Sequence, residues 1–133
     1  MGTYLAMLFV SIASTLYFVS LASAEEISSA TFGELDSEVG CSSKLNQYKK
    51  NGIFKTKYLG RRMTWESTVF AADSVSVLVN VDGRRFEDLS ARLRNPDKTP
   101  ELVRDGLIRL SFTMKSPGTC YMPFSGEDAV ILK

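Results

Sequence analysis

The chain has 133 residues, a formal net charge of +1 and no histidine. The lack of histidine excludes histidine general bases, Ser-His and Cys-His nucleophiles and histidine metal ligands. There is also no phosphate-binding loop, G-x-S-x-G or C-x-x-C motif, so we expect a protein that is not an enzyme and has no catalytic residue, metal or cofactor.

Residues 1–24 have the features of a secretory signal peptide. They contain no charged side chain and end Ala22-Ser23-Ala24 directly before two glutamates. An uncleaved anchor is the alternative, because the apolar run approaches the roughly 20 residues that span a membrane. Several Ser and Thr residues in the run favour cleavage. We therefore expect an exported protein, periplasmic or secreted, with no stable membrane span after cleavage.

An acidic segment at residues 25–38 follows, with five acids and no base. Its first part, Glu25 to Leu35, has little periodicity. Acidic segments without periodic apolar residues are typical of mobile termini. We expect residues 25–38 to form a leader ahead of a single domain at residues 39–133.

A short helix is predicted from Ser37 to Asn51. Cys41, Leu45 and Tyr48 would form its apolar face, and Asn51-Gly52 would end it. Residues 44–62 carry seven bases and no acid, which is typical of a surface that attracts anionic polymers or of a merely solvated surface. The acidic segment would neutralise this surface if it folded back on it.

Three strands are predicted between Arg61 and Leu93. In the first strand Met63, Trp65 and Val69 share one face, with Ser67 between them, and this parity favours core packing of the tryptophan over a binding role. The second strand, Ser74 to Val81, alternates completely, which is typical of a half-buried strand with its valines inward. These valines are Val75, Val77, Val79 and Val81.

The second and third strands are predicted to meet in a two-residue hairpin at Asp82-Gly83, because both central residues of a type I′ turn need a positive φ. In the third strand Leu89, Ala91 and Leu93 share the inward face. Phe86 is out of phase with them, which predicts a bulge near Glu87-Asp88.

A compact helix is predicted from Thr99 to Gly106, with Pro100 in its first position. The fourth strand, Leu107 to Met114, follows directly. A turn at Ser116-Pro117-Gly118 and a loop through Pro123 and Gly126 lead to the closing strand. The inward residues of the fourth strand would be Ile108, Leu110, Phe112 and Met114, and the closing strand would be Ala129 to Leu132.

The chain contains two cysteines, Cys41 and Cys120. An exported protein folds in an oxidising compartment, where a small domain gains stability from a disulfide. We expect the two cysteines to be bridged, with two free buried thiols as the alternative.

This order of elements predicts the fold class. Five strands with a helix between the third and fourth follow the plan of the OB-fold. We expect a mainly β protein, a five-stranded OB-fold-like Greek-key barrel preceded by a short helix.

Short motifs resemble the tRNA-anticodon-binding-like OB-fold family of exported bacterial proteins. Tyr58 to Met63 and Val77 to Gly83 resemble its opening, and Arg104 to Leu110 resembles the entry to its fourth strand. Gly118-Thr119-Cys120 and Asp128 to Leu132 resemble its end, although Ser67 stands where the family usually has glycine. The resemblance implies a binding module more firmly than it implies nucleic acid.

A weaker similarity links the chain to the OB-fold receptor-binding subunits of secreted bacterial toxins, which are pentameric and bind glycans. It rests on the order of elements, the cysteine pair and the signal peptide. The sequence itself does not define an oligomeric state.

OB barrels bind ligands across their second and third strands, so the outward residues there are the candidate site. The basic segment adds three further residues. We expect the ligand to be a glycan, a partner protein or an anionic polymer, with nucleic acid not favoured. The alternative is a component or regulator of an envelope or secretion complex, or an inhibitor of a secreted enzyme. The candidate ligand-binding residues are Ser76, Leu78, Asn80, Arg84, Arg85, Ser90 and Arg92, with Lys55, Lys57 and Tyr58.

Nuclease chemistry is the enzymatic alternative, since OB barrels can carry it on carboxylates and arginines. Arg84, Glu87 and Arg92 would be its residues. The neighbouring acids Glu127-Asp128 could touch a divalent cation from a loop, although solvated acids are the simpler interpretation.

Overall fold

The computed structural model describes residues 25–84 and 86–132. The predicted signal peptide and Arg85 lie outside these residues. Two short helices and a π-helical turn precede five strands, and a 3-10 turn follows the third strand. The helical elements are α1 (Phe32–Val39), α2 (Gln47–Ile53), the π-helical turn Phe54–Tyr58 and the 3-10 turn Pro96–Lys98. The strands are β1 (Arg62–Ala72), β2 (Ser76–Asn80), β3 (Leu89–Leu93), β4 (Leu107–Ser116) and β5 (Phe124–Leu132).

The five strands form a closed barrel in the order β1-β2-β3-β5-β4, and β4 pairs back with β1. All pairs are antiparallel except β3 with β5, which run parallel. A parallel contact between the third and fifth strands requires the chain to cross over one end of the barrel. This is the OB-like Greek-key plan, and the predicted fold class is confirmed.

The barrel core follows the period-two pattern of the sequence. Side chains that alternate along each strand point to one face, so the inward set fills the barrel. Trp65 is buried, its ring meets Phe112 edge-on at 4.9 Å between centroids, and its indole N–H donates to the Ala30 carbonyl at 2.9 Å. Its predicted core role is confirmed. The buried inward residues include Met63, Ser67, Val69, Val77, Val79, Leu89, Ala91, Leu93, Leu110, Phe112 and Met114.

The expectation of a mobile leader over Glu25 to Leu35 is wrong, because α1 belongs to the core. Leu35 is 0% exposed, and the Phe32 ring packs edge-on against Trp65 at 5.7 Å. The Thr31 hydroxyl accepts from the Glu34 backbone N–H, and the Glu34 carboxylate accepts from the Thr31 N–H. This capping box satisfies two helix-end donors and is readable in the sequence as Thr-x-x-Glu.

The helix predicted from Ser37 to Asn51 is also wrong in extent. Residues 40–46 are irregular, and α2 begins only after Asn46, whose side chain accepts from the Lys49 N–H at 3.0 Å. Tyr48 is 88% exposed, so the predicted apolar face does not form. Gly52 lies inside α2 and does not end the helix. The glycine of this region with a left-handed backbone conformation is Gly60, with φ of 76°. The π-helical turn at Phe54–Tyr58 carries the chain past the predicted stop.

The predicted two-residue hairpin at Asp82-Gly83 is replaced by an eight-residue loop, 81–88, between β2 and β3. Gly83 has φ of 75°, but Asp82 does not have a positive φ. The Asp88 carboxylate accepts from the backbone N–H groups of Val81 at 2.7 Å and Asp82 at 3.1 Å. In a tight hairpin the backbone pairing of β2 with β3 would continue up to the turn. Here the Asp88 carboxylate accepts from these N–H groups instead.

The bulge predicted near Glu87-Asp88 is wrong, because both residues precede β3. Register shifts occur instead between Val69 and Ala71 in the β1–β2 pair, between Ala91 and Leu93 in the β3–β5 pair, and at two positions in the β4–β5 pair.

The predicted helix from Thr99 to Gly106 does not form. The Thr99 hydroxyl donates to the Asn95 carbonyl at 2.9 Å and so closes the preceding 3-10 turn instead of capping a new helix. Asp105 has φ of 63°, and its backbone N–H donates to the Val69 carbonyl at 2.8 Å. Pairing with the end of β1 therefore takes precedence over local helix propensity.

The closing strand begins earlier than predicted, at Phe124 rather than Ala129, and contains Gly126. A Cβ on Gly126 would approach the Phe112 ring far inside van der Waals contact. A larger residue at this position would force the buried Phe112 ring to move.

Asp128 in β5 joins two arginines. Arg94 donates to its two carboxylate oxygens at 2.6 and 2.8 Å, and Arg62 donates to its backbone carbonyl at 2.7 Å. The hydrogen bond from Arg94 lowers the pKa of the Asp128 carboxyl. Asp128 has φ of 52°, a left-handed conformation that Asn tolerates as well as Asp does. Asp128→Asn therefore removes the charge without adding backbone strain.

We expect Asp128→Asn to lower the free energy of unfolding at pH 7 by about 0.5–1 kcal/mol, a modest value because the carboxylate is partly exposed. A lowered pKa contributes stability above the unfolded value of about 3.9, and this stability is lost as the pH falls through the folded pKa. The difference between wild type and variant should thus shrink below about pH 4. Urea unfolding at pH 7 and pH 3 measures it, and a constant difference would contradict the ion-pair role.

Candidate functional site

A cavity of about 220 Å³ lies at one end of the barrel. Three elements enclose it: α1, the loop 81–88 between β2 and β3, and the loop 117–123 between β4 and β5. We call it the end cavity. Its lining includes the aromatic residues Phe32, Phe86, Tyr121 and Phe124, the disulfide, and the charged residues Asp36, Asp82, Arg84, Glu87 and Asp88.

The Cys41–Cys120 disulfide holds the loop 117–123 in place. The predicted bridge is confirmed, with an S–S distance of 2.09 Å and a Cα–Cα distance of 4.8 Å. It ties this loop to the irregular segment 40–46 after α1. The Thr119 hydroxyl accepts from the Tyr121 and Met122 N–H groups at 3.2 and 3.1 Å, and this tight turn aims Tyr121 outward.

The loop 81–88 is held by side chains of β2 and of the loop itself. Asn80 accepts from the Gly83 N–H at 2.7 Å and donates to the Phe86 carbonyl at 2.9 Å. Asp88 closes the other side through the bonds to Val81 and Asp82. These bonds hold the described residues of the loop and place Phe86 at the mouth of the cavity.

Three large apolar side chains project around the end cavity, and we call them the loop rim. Phe86 is 69% exposed, Tyr121 95% and Met122 65%. Phe86 comes from one loop, and Tyr121 and Met122 come from the other. Their proximity arises only because the two loops meet at the same end of the barrel.

The charged groups of the end cavity are mainly acidic. Arg84 contacts Asp82 at 2.7 Å and Asp36 at 3.7 Å. Asp36 is largely buried and accepts a hydrogen bond from the Ser42 hydroxyl at 2.5 Å. Burial raises the pKa of the Asp88 carboxyl, against the lowering effect of its backbone hydrogen bonds. Among the described residues of the wall, four carboxylates thus face one arginine.

A second hollow lies on the outside of the barrel across β2, β3 and β5, and we call it the outer groove. Ser76 pairs with Arg92, and Leu78 pairs with Ser90, so the outward side chains of the two strands lie side by side. The groove is open, with a volume of about 400 Å³, and most of the residues along it are polar. Its lining includes Ser76, Ser90, Arg92, Lys115, Ser125 and Glu127.

The structure separates the predicted ligand-binding residues into three groups. Ser76, Ser90 and Arg92 line the outer groove, and Leu78 lies on the same face of the sheet. Arg84 belongs to the end cavity, and Asn80 supports the loop beside it. Lys55, Lys57 and Tyr58 lie in the π-helical turn.

Tyr58 is fully buried in the core and presents no surface to a ligand, which corrects its assignment to a binding surface. Both aromatic residues of the π-helical turn, Phe54 and Tyr58, pack inward because the turn lies against the barrel. Lys55 remains exposed.

The acidic segment does fold back on the basic segment. Lys57 bonds to Glu38 at 2.5 Å, and Arg61 pairs with Glu26. The hydrogen bond between Lys57 and Glu38 lowers the pKa of the glutamate and raises the pKa of the lysine. These pairs reduce the positive field that an anionic polymer would meet.

The loop rim was missed from the sequence, although one signal was present. Phe86 falls out of the inward phase of the third strand, and an apolar residue out of phase points to solvent. Tyr121 and Met122 follow Cys120 in a turn, where no periodicity identifies a face.

Within residues 25–84 and 86–132, no group of three Cys, Asp or Glu side chains is arranged to hold a metal ion. No helix in the same described ranges is long and apolar enough to cross a membrane. Comparison of the chain with protein families, characterised proteins and solved structures finds no match. The two family resemblances therefore stay predictions.

Proposed function

We propose that this protein is an exported, non-catalytic binding module that recognises a partner protein through the loop rim and the end cavity. The observation that carries the proposal is the grouping of three exposed apolar side chains, Phe86, Tyr121 and Met122, around one cavity. Aromatic residues and Met are enriched in protein interfaces, where a few of them supply most of the binding energy.

The loop rim is also pre-organised for binding. Its two loops are fixed by the disulfide, by Thr119 and by the hydrogen bonds of Asn80 and Asp88. Loops that are already ordered lose less entropy when a partner binds. A rigid barrel end that displays apolar side chains is therefore better suited to recognition than a mobile loop of the same composition.

The size of the end cavity favours a macromolecular partner over a free small ligand. Its volume is about 220 Å³. Pockets for drug-sized ligands are larger, roughly 300–1,000 Å³. The end cavity has room for a side chain of a partner whose remaining contacts fall on the loop rim.

Export is supported by the disulfide, because such bonds persist in oxidising compartments. A partner protein there would make this chain a component or regulator of an envelope or secretion complex, or an inhibitor of a secreted enzyme. Protein recognition without catalysis is common to all three roles.

Alanine variants test the proposal. We expect Tyr121→Ala and Phe86→Ala each to weaken capture of the partner from an envelope extract at least tenfold, because central aromatic residues are the usual hot spots. Tyr48→Ala is the matched control, since Tyr48 is also an exposed tyrosine but lies on α2.

Quantitative capture on immobilised protein, followed by mass spectrometry, measures the effect. Loss of capture on Arg92→Gln, with Tyr121→Ala unchanged, would overturn the proposal. The outer groove, with its serines and Arg92, would then be the site, and a glycan or an anionic polymer would be the ligand.

A further inference from the structure

The acidic end cavity beside the loop rim indicates what the partner must present. Asp36, Asp82, Glu87 and Asp88 line the cavity, against the single described cation Arg84. Aromatic residues make up part of the remaining lining. Carboxylates favour a cationic side chain because charged donors form strong hydrogen bonds with them, and aromatic residues can pack against the apolar stem of such a side chain.

Arg84 shows that a guanidinium fits this wall. It contacts Asp82 at 2.7 Å and Asp36 at 3.7 Å, while 65% of its own side chain remains exposed. An ion pair with so much exposure contributes little to stability, because solvent screens it. A second cation can therefore take its place beside Asp36 at low cost.

Asp36 is the acid of the end cavity that is best suited to bind a cation. Asp36 is only 7% exposed, and the Ser42 hydroxyl donates to one of its carboxylate oxygens at 2.5 Å. A carboxylate that is fixed and partly desolvated binds a cation more strongly than a freely rotating surface acid does. Glu87 also lines the cavity and is less buried than Asp36.

We propose that the end cavity receives a lysine or arginine side chain of the partner protein, which displaces Arg84 from Asp36 while the partner's apolar residues cover the loop rim. This inference rests on the proposed function and adds the charge of the occupant. Arg84 then acts as an internal competitor that occupies Asp36 until the partner arrives.

The test uses the disulfide-intact protein and three capped tripeptides, acetyl-Ala-Arg-Ala-amide, its norleucine analogue and its glutamate analogue. Isotope-labelled protein is titrated and its amide NMR shifts are followed. We expect the arginine peptide to give saturable shifts around Asp36, Phe86 and Tyr121, and the neutral and acidic peptides to give none. Equal shifts with norleucine, or stronger ones with glutamate, would overturn the inference.

Two variants distinguish displacement of Arg84 from simple attraction. Arg84→Gln should strengthen binding of the arginine peptide by up to about fivefold, because it removes the competitor. Asp36→Asn should weaken binding about tenfold, because it removes a charge-assisted hydrogen bond. If Asp36→Asn fails to fold, Glu87→Gln is the second acid variant, because Glu87 is only half-buried. It should weaken binding at least twofold.

Weaker binding by Arg84→Gln would contradict the role of Arg84 as a competitor. The results also separate this inference from the proposed function. If Tyr121→Ala abolishes capture but the arginine peptide does not bind, only the cationic occupant is refuted. If Tyr121→Ala leaves capture intact, the site itself is refuted.

Discussion

Replacing both Cys41 and Cys120 by serine should lower the free energy of unfolding by about 2–5 kcal/mol. The bridge spans 79 residues of sequence, so its removal frees most of the unfolded chain from a long constraint. Urea unfolding of the double variant against wild type measures the loss. Ser43→Ala, in the same irregular segment, is the control and should change stability by less than about 0.5 kcal/mol.

The disulfide prediction has a second consequence at the binding end. Without the bridge, the loop 117–123 is no longer tied to the segment 40–46, so Tyr121 loses its fixed position. Partner capture by the double variant should therefore fall together with stability. Equal stability of the double variant and wild type, or two alkylatable thiols in natively exported protein, would contradict this account of the bridge.

Leu35→Ala should lower the free energy of unfolding by about 2–5 kcal/mol, the usual effect of truncating a buried leucine. Leu35 is 0% exposed between α1 and the barrel. The matched control is Ser37→Ala on the exposed side of the same helix, which should change stability by less than about 0.5 kcal/mol. If α1 were a mobile leader, the two variants would have equal and negligible effects on thermal or urea unfolding.

The strands and the barrel were predictable because their signal is periodic. Val77, Val79, Leu110 and Phe112 occur at a period of two, and this pattern survives in the structure because each strand has one buried face. The disulfide was predictable from the cysteine count and from the expected export. No long-range information was needed for either.

The loops and helix ends were not predictable in the same way, because specific contacts decide them. The Asp88 carboxylate bonds to the Val81 N–H at the opposite end of the loop 81–88. The Thr99 hydroxyl bonds to the preceding Asn95 carbonyl and closes a turn, whereas it was expected to cap the helix that follows. Asp105 takes a left-handed conformation to pair with β1. In each case the residue type allows several hydrogen-bond partners, and the folded structure determines which one is used.

The candidate site was the least predictable part. The outward residues of β2 and β3, such as Ser76 and Arg92, follow from strand parity, and the structure does place them together. The end cavity instead combines α1 with two loops, so Phe32, Phe86 and Tyr121 come from three distant parts of the sequence. Only the closure of the barrel brings them together.

Site-specific photo-crosslinking tests the central claim most directly, because it reports contact at a chosen residue in the intact cell. A photoreactive phenylalanine analogue would replace Tyr121 in one protein and Tyr48 in another, since both tyrosines are almost fully exposed. We expect one discrete crosslinked protein from position 121 and none from position 48, with the product from position 121 lost on Phe86→Ala. Crosslinks from position 48 alone, or equal products from both positions, would contradict recognition through the loop rim.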